Sequence, residues 1–195
     1  MLYYHVDRYN QLNKLETIYP YAVVKENPIF KFFTYLSSHG AFYLNRDVKH
    51  PASVMNELIL EYVREHFFSN RTSRFQSLFA SVTKEQALEW AKYFKRYGKD
   101  INDKYNIKNY NIVTIESTNA FIGDAAWFSK LEDIETNLHF FSSLSNIVEP
   151  NSVAEKIEAA FKYWNGEFTN NPLPEVLIPL PFTINSIEVI SLDSL

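Results

Sequence analysis

The side chains able to do chemistry are spread along this chain. Its five histidines stand at positions 5, 39, 50, 66 and 139, without metal-ligand spacing, so no metal site is expected. Cysteine is absent, which excludes a thiolate nucleophile, a disulfide and cysteine-bound zinc. No G-x-x-x-x-G-K-[ST], G-x-G-x-x-G or G-x-S-x-G occurs, so a P-loop, a Rossmann fingerprint and a nucleophile elbow are unsupported. His39, before Gly40, suits a helix terminus. His50 precedes Pro51 in a polar stretch, and His66 and His139 fall among aromatics on helical patterns, which are structural settings. His5 stands apart, a hydrogen-bonding ring inside the strand-like run Leu2-Tyr3-Tyr4-His5-Val6. Asp124 lies in a loop after a strand, and Glu175 heads a strand pair. Lys92, Lys95, Arg96 and Lys99 crowd one helix end, with Arg71 and Arg74 before it and Lys104 and Lys108 after. They read either as a solvated face with cations suited to the helix dipole or as a local basic surface.

The elements that must position these residues follow from periodicity and caps. The run "SVMNELILEYVREHFF" predicts a helix capped by Ser53, with Met55, Leu58, Ile59, Tyr62, Val63 and Phe67 as its apolar stripe. "TKEQALEWAKYFKRYG" carries a Thr83–Gln86 capping box, one face of Ala87, Trp90, Ala91, Phe94 and Tyr97, and a terminal Gly98. "SVAEKIEAAFKYWNG" repeats the pattern, with Ser152 and Glu155 as box and Gly166 as stop. Weaker helices are expected within "IFKFFTYLSSHG" and "LEDIETNLHFFSSLSNIV". Strands are expected at 2–6, 74–81, 110–117, 175–180 and 186–192, the fourth at an edge or bulged because of Pro179 and Pro181. Strand–helix alternation is incomplete and the last two strands are consecutive. Both favour α+β with a mixed or antiparallel sheet. One domain over 1–195 is expected, with residues 22–70 a mostly helical insertion after strand one.

The order of these pieces resembles the ADP-ribosyltransferase superfamily, in its branch that opens with Tyr-His on strand one. "YYHVDRYNQL" is similar to the Y-H-[IV]-T-x-x-x-L opening of the rifampin-modifying and DarT-type transferases. "SRFQSLFASVTKEQALEWA" resembles their second conserved strand and following helix. "NIVTIESTNAFIGD" resembles the strand before their acidic loop. An uncharacterised bacterial and phage branch, with a PSRFQS-F block and a late EVL block, is the nearest in pattern; Thr72 stands where that branch has proline. The likeness spans roughly residues 1–12, 71–128 and 163–192 and leaves 22–70 unexplained.

This resemblance implies a split sheet with flanking helices and NAD as substrate. Breaking the nicotinamide–ribose bond passes through an oxocarbenium-like state, which a carboxylate stabilises. Carried over, His5 hydrogen-bonds a ribose, Val6 supplies backbone contacts to nicotinamide, and Glu175 is the catalytic carboxylate, with Asp124 the rival acid. Phe79 and Trp90 are aromatic shelf residues, and Arg74 meets the pyrophosphate or forms a surface salt bridge. Leu173, two residues before Glu175, breaks the E-x-E or Q-x-E pair of arginine-directed enzymes, so arginine is a poor acceptor. The Ser-Thr-Ser strand motif is also absent; Glu116-Ser117-Thr118 is only reminiscent of it. The implied function is a mono-ADP-ribosyltransferase, with DNA or RNA as leading acceptor and protein next, acting as a toxin or phage-conflict effector with an antitoxin partner. Alternatives are an NAD glycohydrolase, an RNA 2′-phosphotransferase, and an inactive binding module on the same fold.

Composition bounds the rest. The 195 residues suffice for one sizeable core. Aromatics make up 16%, so Phe and Tyr must supply much of the burial. A net charge of −4 argues against bulk electrostatic capture of nucleic acid or anionic membrane. No signal-peptide pattern and no apolar run of about 18 residues are visible, so a cytoplasmic protein without membrane attachment is expected.

Overall fold

The computed structural model of the protein describes residues 1–12, 17–18, 21–22, 35–36, 51–127 and 150–195. Strand β1 (Leu2–Asp7) is followed by the short β2 (Thr17–Ile18), β3 (Tyr21–Ala22) and β4 (Tyr35–Leu36). Helix α1 (Pro51–Phe67) precedes a 3-10 turn at Arg74–Gln76 and strand β5 (Ser77–Ala80). Next come α2 (Lys84–Tyr97), α3 (Lys99–Lys104), β6 (Asn109–Glu116) and β7 (Phe121–Asp124). Helix α4 (Pro150–Asn165), β8 (Pro174–Pro179) and β9 (Phe182–Ser191) close the order. The class is α+β, and every strand pairing among the described residues is antiparallel.

Two sheets matter for the site. One runs β1-β6-β9-β2 and the other β5-β8-β7, while β3 and β4 pair separately. Tyr3, Val113, Ile115 and Ile184 of the first sheet pack against Leu78, Val176 and Ile178 of the second. On the outer face of the first, Ala87 and Ala91 of α2 cover Val6, Tyr110 and Ile112. On the outer face of the second, Leu60, Val63, Ala160 and Trp164 of α1 and α4 cover Phe121 and Leu177. The layers are thus helix, sheet, sheet, helix. β6 is buried on both faces, which explains why "YNIVTI" reads as a nearly unbroken apolar run.

The two sheets meet edge to edge at one point. Tyr4 N donates to Ser81 O at 3.0 Å and Ser81 N to Tyr4 O at 2.8 Å, an isolated bridge. No further β1–β5 ladder pair is formed, so the strands part beyond it.

Several expectations are corrected. Ser53 and Ser152 lie inside their helices, because Pro51 and Pro150 take the first helical position, where a missing N–H costs nothing. The Thr83–Gln86 capping box is present, worth about 0.5–2 kcal/mol. Tyr97 is exposed, so the buried face of α2 ends at Phe94. On α1, Leu58, Tyr62 and Phe67 face solvent, while Asn56, Glu57, Leu60, Glu61 and Val63 are buried. Pairing partners make this inverted face affordable. β8 is the central strand of its sheet, not an edge, with Pro174 and Pro179 confined to its ends. β8 and β9 are consecutive yet lie in different sheets. Within the helix expected near 29–40, Tyr35–Leu36 form strand β4 instead, and the rest of that stretch, the helix expected at 131–148, most of the 22–70 insertion, and His39, His50 and His139 lie outside the described residues.

Candidate functional site

A cleft of about 950 Å³ opens where β1 and β5 separate, walled on one side by α2. His5, Val6, Arg74, Phe79, Trp90 and Glu175 all line it. Asp124 does not.

Glu175 sits on the central strand β8, opposite Gly123 of β7. Its side chain is only 12% exposed. Oε1 receives the Nη1–H of Arg74 and the hydroxyl of Tyr163, the latter at 2.7 Å. Among the described residues no hydrogen bond falls on Oε2. One oxygen is therefore held by two donors and the other by neither. Arg74 is itself fixed by Glu57 of α1, through Nε to Oε2 and Nη2 to Oε1, both at 2.8 Å. Its Nη1 also donates to Tyr163 Oη at 3.0 Å, and its guanidinium carbon stands 4.7 Å over the Phe79 ring. Arg74 is thus not a surface salt bridge, and four of its five N–H donors are engaged by Glu57, Tyr163 and Glu175. It is a buried cation between two carboxylates, a bidentate arrangement suited to arginine. Burial pushes the Tyr163 phenol well above its ordinary range against the lowering effect of Arg74, so it serves as a hydrogen-bond donor, not as an anion.

Gly123 has a steric reason. A Cβ there would come within 2.3 Å of Tyr163 Cε2, so the missing side chain lets Tyr163 lie on β7 and reach Glu175. On the other wall, His5 Nδ1 lies 2.6 Å from Phe79 O. A carbonyl only accepts, so Nδ1 carries the proton, and in the neutral ring Nε2 is the acceptor nitrogen. The His5 ring spans the gap where the backbone pairing of β1 with β5 has stopped. Residues two apart on a strand present their amide and carbonyl to the same edge. Val6 accordingly presents its backbone toward the gap, on the edge by which Tyr4 binds Ser81. Trp90 and Phe94 stack at 5.8 Å along α2, giving the cleft an aromatic wall.

Asp124 is built for another task. Oδ1 accepts from Ala126 N at 2.9 Å and Leu173 N at 2.7 Å; Oδ2 accepts from Thr169 N and Thr169 Oγ1, each at 2.7 Å. Burial raises its pKa, but these bonds outweigh it and hold the carboxyl below its usual value. Both oxygens are engaged in tying β7 to the chain that enters β8.

Residues 25–191 match the model of the DUF2441 family, described as a protein of unknown function. The chain belongs to the DUF2441 family. No curated protein matches it. The DUF2441 match includes Glu57, Arg74, Tyr163 and Glu175 and begins after His5. Among the described residues no group of three or more histidines, aspartates or glutamates is placed to hold a metal ion, and no helix is long and apolar enough to cross a membrane.

Glu57 and Tyr163 are the functional-site residues that sequence reasoning missed. Tyr163 sits between Phe161 and Trp164 and is masked as one more core aromatic. Glu57 and Glu61, four apart, were legible as one helical face, and an arginine-rich segment at 64–74 offered them partners. Glu61 accepts from Arg64 Nε at 3.0 Å and from Ser73 Oγ at 2.9 Å.

Proposed function

We propose that the protein is an NAD-dependent mono-ADP-ribosyltransferase with Glu175 as its catalytic carboxylate. The observation that carries this reading is the half-engaged Glu175, facing a cleft that His5 and Val6 also line. The layered α+β fold, divided at the Tyr4–Ser81 bridge, fits the split sheet of that superfamily and supports the same reading.

The chemistry follows from charge. The C1′–N bond of NAD breaks and nicotinamide leaves with the bonding electron pair. The oxocarbenium-like ribose is stabilised by the nearby carboxylate, which Arg74 and Tyr163 keep oriented. An acceptor oxygen or nitrogen then bonds to C1′ and releases its proton to solvent. His5, held through Phe79 O, lines the cleft as the proposed ribose contact; the Val6 backbone meets the carboxamide; Phe79 and Trp90 flank the rings.

For the acceptor we favour a single-stranded nucleic acid. Tyr93 and Tyr97 are 51% and 64% exposed and continue the Trp90 wall outward, with Trp90–Tyr93 at 5.6 Å and Tyr93–Tyr97 at 4.6 Å. Arg96 lies 5.3 Å over Tyr97. Exposed rings interleaved with cations are a base-stacking platform. A toxin or phage-conflict role in the cytoplasm, under an antitoxin, rests on the superfamily resemblance alone.

The test is nicotinamide release from NAD with single-stranded DNA, single-stranded RNA or cell lysate offered. Wild type releases nicotinamide and labels an acceptor; Glu175→Gln lowers the rate at least 100-fold with its circular dichroism unchanged. Nicotinamide release without a labelled acceptor would make the enzyme a glycohydrolase. No release under any of these conditions sinks the enzymatic reading.

A further inference from the structure

The cleft holds a cation that nothing in the proposed mechanism uses. Arg8 leaves β1 in a turn, half-buried, and lines the cleft three residues along from His5. No carboxylate pairs with it among the described residues, and Glu175 is the sole carboxylate among the described residues that line the cleft. Its guanidinium carbon lies 4.4 Å over Phe94 and 5.6 Å from the Tyr9 ring centroid. A guanidinium stacked on a ring keeps its N–H donors in its own plane, directed past the ring edge. The turn that carries it is fixed. Asp7 accepts from Tyr9 N at 3.2 Å and Leu12 N at 2.9 Å, and Asn10 Nδ2 donates to Asn109 O at 3.3 Å. That last bond sets the turn beside Lys108, a second cleft-lining cation with no ion-pair partner among the described residues.

We propose that Arg8, with Lys108, forms an anion subsite that takes the diphosphate of a nucleotide bound in this cleft. Deepening the NAD reading, it moves the pyrophosphate from Arg74, four of whose five N–H donors go to Glu57, Tyr163 and Glu175, to Arg8. The stacked fork suits paired phosphate oxygens, and Lys108 adds a point charge. At about 3.3 Å per residue, Arg8 lies roughly 10 Å along the chain from His5, a spacing that places phosphates beyond a ribose held at His5.

The test is calorimetric titration of the full chain with ADP, which lacks nicotinamide, and separately with inorganic pyrophosphate. ADP binds wild type; Arg8→Gln weakens it about 10–100-fold, as expected for losing charge-assisted hydrogen bonds. Arg8→Lys recovers part of the loss, Lys108→Gln costs less than Arg8→Gln, and Lys162→Gln, a cation of α4 outside the cleft, changes nothing. Equal ADP affinity in wild type and Arg8→Gln, or no binding of ADP or pyrophosphate by wild type at millimolar concentration, overturns the subsite. Arg8-dependent ADP binding by a protein that never cleaves NAD would uphold the subsite and fell the transferase reading.

Discussion

Asp124 accepts four hydrogen bonds, and their contribution depends on its charge. Its folded pKa lies below the unfolded value of 3.8. The ionised form is therefore the one the fold favours, so its stabilisation is fully present above that value. It is lost as pH falls through the folded pKa. In urea titrations, wild-type stability should fall steeply below about pH 4. Asp124→Asn should be about 1–3 kcal/mol less stable at pH 7, since an amide nitrogen cannot accept from the donors that converge there. Its acid limb should also be shallower. The same stability in both proteins at pH 7 would show that the β7–β8 tie contributes nothing. Glu175 is the contrasting carboxylate, engaged through one oxygen and set in the cleft.

Helix α1 shows how an element can be foreseen and its face misread. Its length and position were legible from periodicity. Its buried side was not, because apolar stripes predict burial only where polar residues stay solvated. Glu57 and Glu61 are buried because Arg74, Ser73 and Arg64 meet them; Arg64 is an i,i+3 neighbour on the same helix, but Ser73 and Arg74, 12 and 17 residues away, are brought there only by tertiary packing. The strand readings held better, since β1, β6 and β8 declare themselves by apolar content. That β8 is central, and that β9 joins the other sheet, is set by pairing partners remote in sequence. On the proposed mechanism Glu57 is a positioning residue, acting on Glu175 through Arg74. Glu57→Gln removes one charge from a buried pair, and stability should drop by about 3 kcal/mol. Nicotinamide release should lose kcat with KM little changed, since the cleft contacts of His5 and Arg8 remain. A KM rise at constant kcat would instead place Glu57 in substrate binding.

At the scale of the whole molecule, the cleft walls come from two sheets that share an apolar core and whose edges, among the described residues, meet at the Tyr4–Ser81 bridge and the His5–Phe79 hydrogen bond. β1 and α2 bring His5, Val6 and Trp90; β5, β8 and the Arg74 turn bring Phe79, Glu175 and the buried ion pairs. A ligand that touches both walls adds contacts across the gap where strand pairing has stopped, and binds only when both are in place. Its binding free energy therefore becomes folding free energy. At a ligand concentration about 100 times Kd this amounts to roughly 2.7 kcal/mol. For a chain of this length each kcal/mol corresponds to about 2–4 °C. On the proposed reading Glu175→Gln binds NAD without turnover, and NAD added to it should raise the melting midpoint by about 5–11 °C. His5→Ala, which removes the Phe79 link and with it the proposed ribose contact, should show a smaller rise at the same NAD concentration. A shift of equal size in both variants would mean that the ligand does not use the β1 wall. No shift in Glu175→Gln at millimolar NAD would mean that the cleft takes some other molecule.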